Sequence, residues 1–391
     1  MKVLLVASDN SIHSGAFRSL ATLAKHLTDD FDVEVLVLTP ISGVGTKLLD
    51  ELNIKSVTIK NFPWVLSVNA NYLAKVKCAV KGILNLLCVK KIDNLIKDYN
   101  PDIIHINTSW TYLAAKSAKM ARVPVIWHIR EFLEEDQNLR FFDRKKSVAL
   151  INDSYKVICV SNLLRDKYKS LIHSDALITI YNGIDPAKYY RKEHEILKGS
   201  VLKLIFIGGV SYKKGQPQII QALCRLNSEY PNFHFDLKIV GEISVELKIK
   251  LQRVVDENGL SSKIHFCGIR NDVDVLLKHS DVSIVNSYSE AFGRVTVESM
   301  MAGCLMLAAN TGATSEIITS SGYGVLFDPL DISDVVSKLL FVNENRQKCQ
   351  IIAKNGQEYV LDRFNSYRNA KEIYDVYCET QIRLHENFAC R

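Results

Sequence analysis

Two carboxylates, Glu290 and Glu298, stand eight residues apart in the run Ser289-Glu290-Ala291-Phe292-Gly293-Arg294-Val295-Thr296-Val297-Glu298-Ser299-Met300-Met301-Ala302-Gly303. The segment Asp281-Val282-Ser283-Ile284-Val285-Asn286 before it reads as a short buried strand. After it, Val297, Met300 and Met301 recur at helical spacing, and Gly303 suits a helix C-terminus. Glu290 is therefore expected in the loop after a strand, and Glu298 in the first turns of the next helix. In an open parallel sheet, ligands bind at the carboxyl ends of the strands. Backbone N–H groups near Gly293 and Arg294 would lie at a helix N-terminus, where anions bind.

The run resembles the Glu-x7-Glu motif of retaining nucleotide-sugar glycosyltransferases of family 4 (GT4), which have the GT-B fold. The resemblance implies that Glu290 touches hydroxyls of the donor sugar and Glu298 the ribose diol. It further implies that Ala291, Phe292, Gly293 and Arg294 supply backbone to the sugar and phosphates. Ile269-Arg270 after Phe266-Cys267-Gly268, and Glu316 after Thr311-Gly312-Ala313, extend the resemblance; Ile269 and Arg270 count among the donor-binding positions.

Ile205-Phe206-Ile207-Gly208-Gly209-Val210-Ser211-Tyr212-Lys213-Lys214-Gly215 reads as a strand followed by a glycine-rich basic turn. It misses both the dinucleotide fingerprint and the Walker pattern, because Gln216 follows Gly215. A fixed ammonium there suits the charge that develops on a leaving diphosphate. Family members usually carry Gly-Arg-x-x-x-x-Lys-Gly in this loop. Lys214-Gly215 match its end, while Gly209 stands where the arginine is expected, with Lys213 or Arg294 as substitutes.

Near the N-terminus, Ser11-Ile12-His13-Ser14-Gly15-Ala16 follows the first strand and opens a helix, a place where phosphate docks on backbone N–H groups. Gly15 matches the family's loop, and Arg18 is a further cation. In Val123-Pro124-Val125-Ile126-Trp127-His128-Ile129-Arg130-Glu131, strand alternation puts His128 and Arg130 on one face. The resemblance places both next to the reacting sugar; a buried structural His128 is the competing reading. Glu134-Glu135-Asp136 lacks metal-ligand spacing and reads as a solvated loop. No metal site and no cofactor are expected.

The chain has 391 residues, 47% of them apolar, enough for two cores. It holds no run of about 18 uncharged apolar residues, so no spanning helix is expected. Met1 to Ala7 reads as a first buried strand rather than a signal sequence. Nine dispersed cysteines argue for reduced thiols in a cytoplasm. The net charge is +6, with no nucleic-acid motif beside it, so no nucleic-acid partner is expected. The excess is local: Lys55, Lys60, Lys75, Lys77, Lys81, Lys90, Lys91 and Lys97 are opposed within residues 55–97 by Asp93 alone. Interleaved apolar residues make this either a peripheral contact for an anionic membrane or an ordinary core helix with a lysine-rich outer face.

Strand and helix patterns alternate along both halves, predicting parallel α/β sheets. The expected organisation is an acceptor-side domain over 1–185, a charged linker over 186–201, and a nucleotide-sugar domain over 202–370. A last helix over 371–391 is expected to pack back on the first domain. The resemblance implies GT-B architecture: two Rossmann-like doubly wound domains facing across a cleft. The expected activity is metal-independent transfer of a sugar from a UDP- or GDP-sugar to a cell-surface or lipid-linked glycan, in the cytoplasm or on the inner membrane face. A non-catalytic accessory subunit and a sugar-nucleotide epimerase are the alternatives.

Overall fold

The computed structural model describes residues 1–192 and 195–389. Two compact units emerge: Met1–Gly183 together with Ser366–Arg391, and Ile184–Asn365.

The first unit carries the strands β1 (Lys2–Val6), β2 (Glu34–Thr39), β3 (Lys55–Thr58), β4 (Val65–Ser67), β5 (Ile103–Ile106), β6 (Val125–Ile129), β7 (Leu139–Phe141), β8 (Lys156–Cys159) and β9 (Leu177–Thr179). Seven of them form a parallel sheet in the order β3-β2-β1-β5-β6-β8-β9. β4 and β7 pair antiparallel in a small separate sheet. The central strands are apolar runs buried on both faces, as helices on each side of a parallel sheet require. Helix Ser366–Ala389 belongs to this unit, and its Ala370, Ile373, Val376 and Tyr377 join the core of β1 and helix Gly15–Asp29.

The second unit carries β10 (Leu202–Ile207), β11 (Phe235–Val240), β12 (Ile264–Gly268), β13 (Val282–Val285), β14 (Leu305–Ala309) and β15 (Val325–Phe327). Its parallel sheet runs β12-β11-β10-β13-β14-β15. Of the stretch expected as a linker, 186–201, residues 193 and 194 lie outside the described residues and the rest is part of this unit instead. Ile196 and Leu197 are buried in its core, and Asp281 accepts the Leu197 N–H at 2.7 Å and the Lys203 N–H at 2.9 Å. The charged residues around them concealed these two apolar anchors. The chain returns to the first unit at Ser366, five residues before the expected boundary.

Each sheet has one place where strand order reverses: between β1 and β5 in the first, and between β10 and β13 in the second. Loops leaving the carboxyl ends of those strands diverge to opposite faces and leave a crevice. The turn Ala7–Ser14 and the residues after Ile106 lie there in one unit; Gly208–Gly215 and Asn286–Gly293 lie there in the other.

Candidate active site

In the second unit the two switch-point loops are pressed together. Gly215 takes φ +79° at the N-terminus of helix Gln216–Glu229, and a Cβ there would lie 2.3 Å from Asn286 Nδ2. Asn286, fully buried just past β13, donates from that nitrogen to the Gly215 carbonyl at 3.1 Å. The Tyr288 N–H donates to the Lys213 carbonyl at 3.2 Å. These contacts bring Lys214 and Glu290, 76 residues apart in sequence, into an ion pair with Nζ–Oε2 of 2.9 Å. Both side chains remain partly open to solvent.

Glu290 is held from a third loop as well. Its carbonyl accepts the Ala313 N–H at 2.8 Å, and Gly312, at φ +60°, passes so close that a Cβ would lie 2.7 Å from the Glu290 nitrogen. Gln216, a residue the sequence reading did not single out, braces the basic turn from beneath. Fully buried, it accepts the Ser211 N–H at 3.2 Å and donates to the Gly209 carbonyl at 3.3 Å. Its signal was a polar amide at the start of an otherwise apolar helix face.

Glu298 sits on helix Arg294–Met301, whose N-terminus is Gly293 at φ +82°. Its side chain is 5% exposed, and Arg294 one turn earlier meets it at 3.2 Å. A buried carboxylate without such a partner would be costly. The side chains of Ala291 and Phe292 are buried, the latter against Phe364 with ring centroids 5.9 Å apart, so what these positions offer a ligand is backbone. A Cβ on Gly209 would meet nothing nearer than 4.0 Å, so packing does not demand glycine there. Ile269 and Arg270 follow β12, which is separated from β10 by β11, about 10 Å away. Ile269 is exposed, and Arg270 is tied to Asp272 by bonds of 2.8 and 2.6 Å.

The first unit gathers different chemistry. Arg130, just past β6, donates from Nε to Asn107 Oδ1 at 2.7 Å, from Nη1 to Asn182 Oδ1, and from Nη2 to His128 Nδ1 at 3.2 Å. A guanidinium only donates, so His128 Nδ1 accepts and its Nε2 carries the proton. His105 Nε2, 3.2 Å from the same Nδ1, then donates too, leaving His105 Nδ1 to accept from Tyr377 Oη at 2.5 Å. Burial and the Arg130 charge push His105 down to about 3 and His128 well below its ordinary value, so both rings are neutral. His128 Nε2 is buried and finds no partner among the described residues.

Glu131, also buried, accepts from Ser109 N–H at 2.8 Å, Ser109 Oγ at 2.5 Å and the Arg130 N–H at 3.1 Å. Burial raises its pKa against these bonds. At the N-terminal turn, Gly15 opens its helix beside Ser14, which caps Phe17 N–H. The expected phosphate dock is already supplied with an anion: Asp9 accepts the Ser11 N–H at 3.0 Å and Ser14 Oγ at 2.9 Å. Glu134 and Glu135 pair with Lys167. Among the described residues no group of three or more His, Cys, Asp or Glu side chains could hold a metal ion, and no helix is long and apolar enough to cross a membrane.

Two doubly wound parallel sheets give the chain the GT-B fold. Residues 13–188 match the model of Glycosyltransferase Family 4, and residues 190–359 that of Glycosyl transferases group 1; the chain belongs to this family. Anabaena HepE, solved in complex with UDP, superposes with a TM-score of 0.79 at 23% identity, over 97% of this chain and 100% of that one. The UDP-Gal:alpha-D-GlcNAc-diphosphoundecaprenol alpha-1,3-galactosyltransferase of Escherichia coli is 24% identical over 78% of this chain and 81% of its own length. The 2-deoxystreptamine N-acetyl-D-glucosaminyltransferase of Niallia circulans is 21% identical over 94% of this chain and 98% of its own.

Proposed function

We propose that the chain transfers a sugar, with retention and without a metal, from a UDP- or GDP-sugar to a lipid-linked or cell-surface glycan precursor. The observation that carries this is the Lys214–Glu290 pair at the switch point of the second unit. An arriving diphosphate, with more charge than a carboxylate, draws the Lys214 ammonium away from Glu290. Lys214 then stabilises the leaving diphosphate, and Glu290 is released to accept hydrogen bonds from donor-sugar hydroxyls. Glu298, rigid beneath Arg294, accepts from the ribose diol, and the backbone of Phe292 to Arg294 orients the phosphates. The bond between the anomeric carbon and phosphate oxygen breaks. The acceptor oxygen bonds on the same face, and the departing phosphate takes its proton, so no strong protein base is needed. Arg130 acts by positioning and charge, and the neutral His128 by positioning.

The relative that acts on a diphosphoundecaprenol-linked sugar supports a lipid-linked acceptor, and the UDP complex of HepE supports a uridine donor. The basic segment 55–97, opposed by Asp93 alone, supports a peripheral electrostatic contact with the anionic inner face of the cell membrane. Turnover with a panel of UDP- and GDP-sugars, with and without lipid extract and with EDTA, tests the reading. Release of UDP or GDP only with lipid acceptor, unaffected by EDTA, is expected. Loss in EDTA restored by Mg²⁺ or Mn²⁺ overturns metal independence. Silence with every donor would favour the accessory subunit, the reading that Gly209 motivates; a changed sugar configuration on an intact nucleotide would favour the epimerase.

A further inference from the structure

The helix Tyr72–Tyr99 turns very little of itself inward. Asn85, Ile92 and Ile96 are its buried residues, and at 3.6 residues per turn they fall within a sector of about 40°. Leu73, Val76, Val80, Ile83, Leu84 and Leu87 fall within about 100° on the roughly opposite side. All six are exposed, Leu73 at 67%, Ile83 at 65% and Leu87 at 74%. An ordinary core helix shows the reverse pattern, with its apolar stripe inward. The stripe is about 21 Å long.

Charge identifies the occupant. Between Tyr72 and Ile92 the helix carries Lys75, Lys77, Lys81, Lys90 and Lys91 and no carboxylate. Beside its first turn lies a cavity of 520 Å³ with Leu66, Phe141 and Phe142 in its wall and Lys75, Arg140 and Arg144 among its lining. The acid that also lines it, Glu134, is paired with Lys167. A second copy of the chain would set these cations against themselves, since an isologous contact brings the same surface from both sides.

We propose that this helix lies in the plane of an anionic phospholipid bilayer, its stripe sunk about 5–10 Å to the headgroup–acyl boundary. Lys75, Lys77, Lys81, Lys90, Arg140 and Arg144 then meet lipid phosphates. The basic segment treated above as an electrostatic contact becomes an inserted one, held chiefly by apolar burial. The proposal deepens the membrane contact of the proposed function but needs no part of the sugar chemistry.

The full-length protein is incubated with phosphatidylcholine vesicles, with and without phosphatidylglycerol, at low salt and at about 0.5 M NaCl, where the Debye length is only a few ångströms. The comparison variant combines Leu73→Ser, Val76→Ser, Ile83→Ser and Leu87→Ser. These positions are exposed, so its melting temperature and UDP affinity should equal those of the wild type. Wild-type binding to phosphatidylglycerol vesicles that persists in part at high salt is expected, with affinity lowered about hundredfold or more in the variant. Equal partitioning of the two proteins, or no wild-type sedimentation at low salt, overturns the proposal. So does a wild-type dimer in solution that the variant converts to monomer, which would give the stripe to a second copy. Absence of UDP binding by the wild type would instead count against the donor site, leaving the vesicle result to stand by itself.

Discussion

Near the switch point of the second unit, opposite charges meet in pairs, Lys214 with Glu290 on partly open loops and Arg294 with the buried Glu298 within one helix. Around the corresponding strand ends of the first unit, one buried guanidinium donates to two asparagine oxygens and to a histidine that burial keeps uncharged. The Lys214–Glu290 pair is open to exchange, because both side chains reach solvent. The Arg130 arrangement is fixed, because moving Arg130 would strand buried donors and acceptors. One sheet topology thus supports an open pair of opposite charges in one unit and a buried framework that holds one residue still in the other.

The sharpest way to break this comparison is Lys214→Ala. If the ammonium meets the leaving diphosphate, kcat should fall about 10²–10³-fold, the scale seen when one preorganised charge donor is removed. Stability should move little, since a partly exposed ion pair contributes little. A large loss of melting temperature with normal kcat would make the pair structural. Glu298→Ala should weaken UDP or GDP binding about tenfold to a hundredfold, the range of one charged hydrogen bond. Calorimetry reads it, and unchanged affinity for both nucleotides removes the ribose assignment.

The fixed character of the first unit has a pH signature. The His105 folded-state value of about 3 lies below its ordinary 6.5, so protonation favours the unfolded chain. Stability should therefore fall as pH drops below about 6.5, by on the order of 2 kcal/mol at pH 5. Glu131, with its raised value, titrates in the opposite sense. His105→Phe should flatten the fall of melting temperature between pH 7 and 5 relative to wild type; an unchanged slope would mean that the ring is not held neutral. Arg130→Ala should lower kcat about tenfold while leaving UDP affinity intact, a separation expected of a group that positions. The smallest effect on turnover sharpens the open side. Gly215→Ala, at positive φ and with its Cβ 2.3 Å from Asn286 Nδ2, should destabilise by roughly 2–4 kcal/mol and displace the loop carrying Lys214, lowering kcat without touching any charge.

The second unit was the more legible in sequence. Its strands are mostly apolar and all but the last are closed by glycine or asparagine, and the two carboxylates Glu290 and Glu298 stand within one short stretch. What could not be read was pairing at a distance: nothing in the sequence says that Lys214 meets Glu290, or that Asp281 recruits Leu197. In the first unit, β4 and β7 are three residues each and 71 residues apart, too short for periodicity and shaped by their neighbours alone. His128 and Arg130 were recognised on one face, but His105 was not singled out. A lone imidazole in Ile103-Ile104-His105-Ile106 was its trace, and Tyr377, the partner that explains it, lies 272 residues onward.

That partner sits on the helix Ser366–Ala389, and the helix has a consequence for how the protein is made. Unit two is a single uninterrupted piece of chain set inside the first, whose core lacks Ala370, Ile373, Val376 and Tyr377 until everything before them has left the ribosome. During synthesis the inserted piece can fold at once, whereas the earlier-made sheet must wait with an apolar groove along β1 and helix Gly15–Asp29 open to water. The neutral state of His105 and the seat of Arg130 are then among the last things the nascent chain acquires.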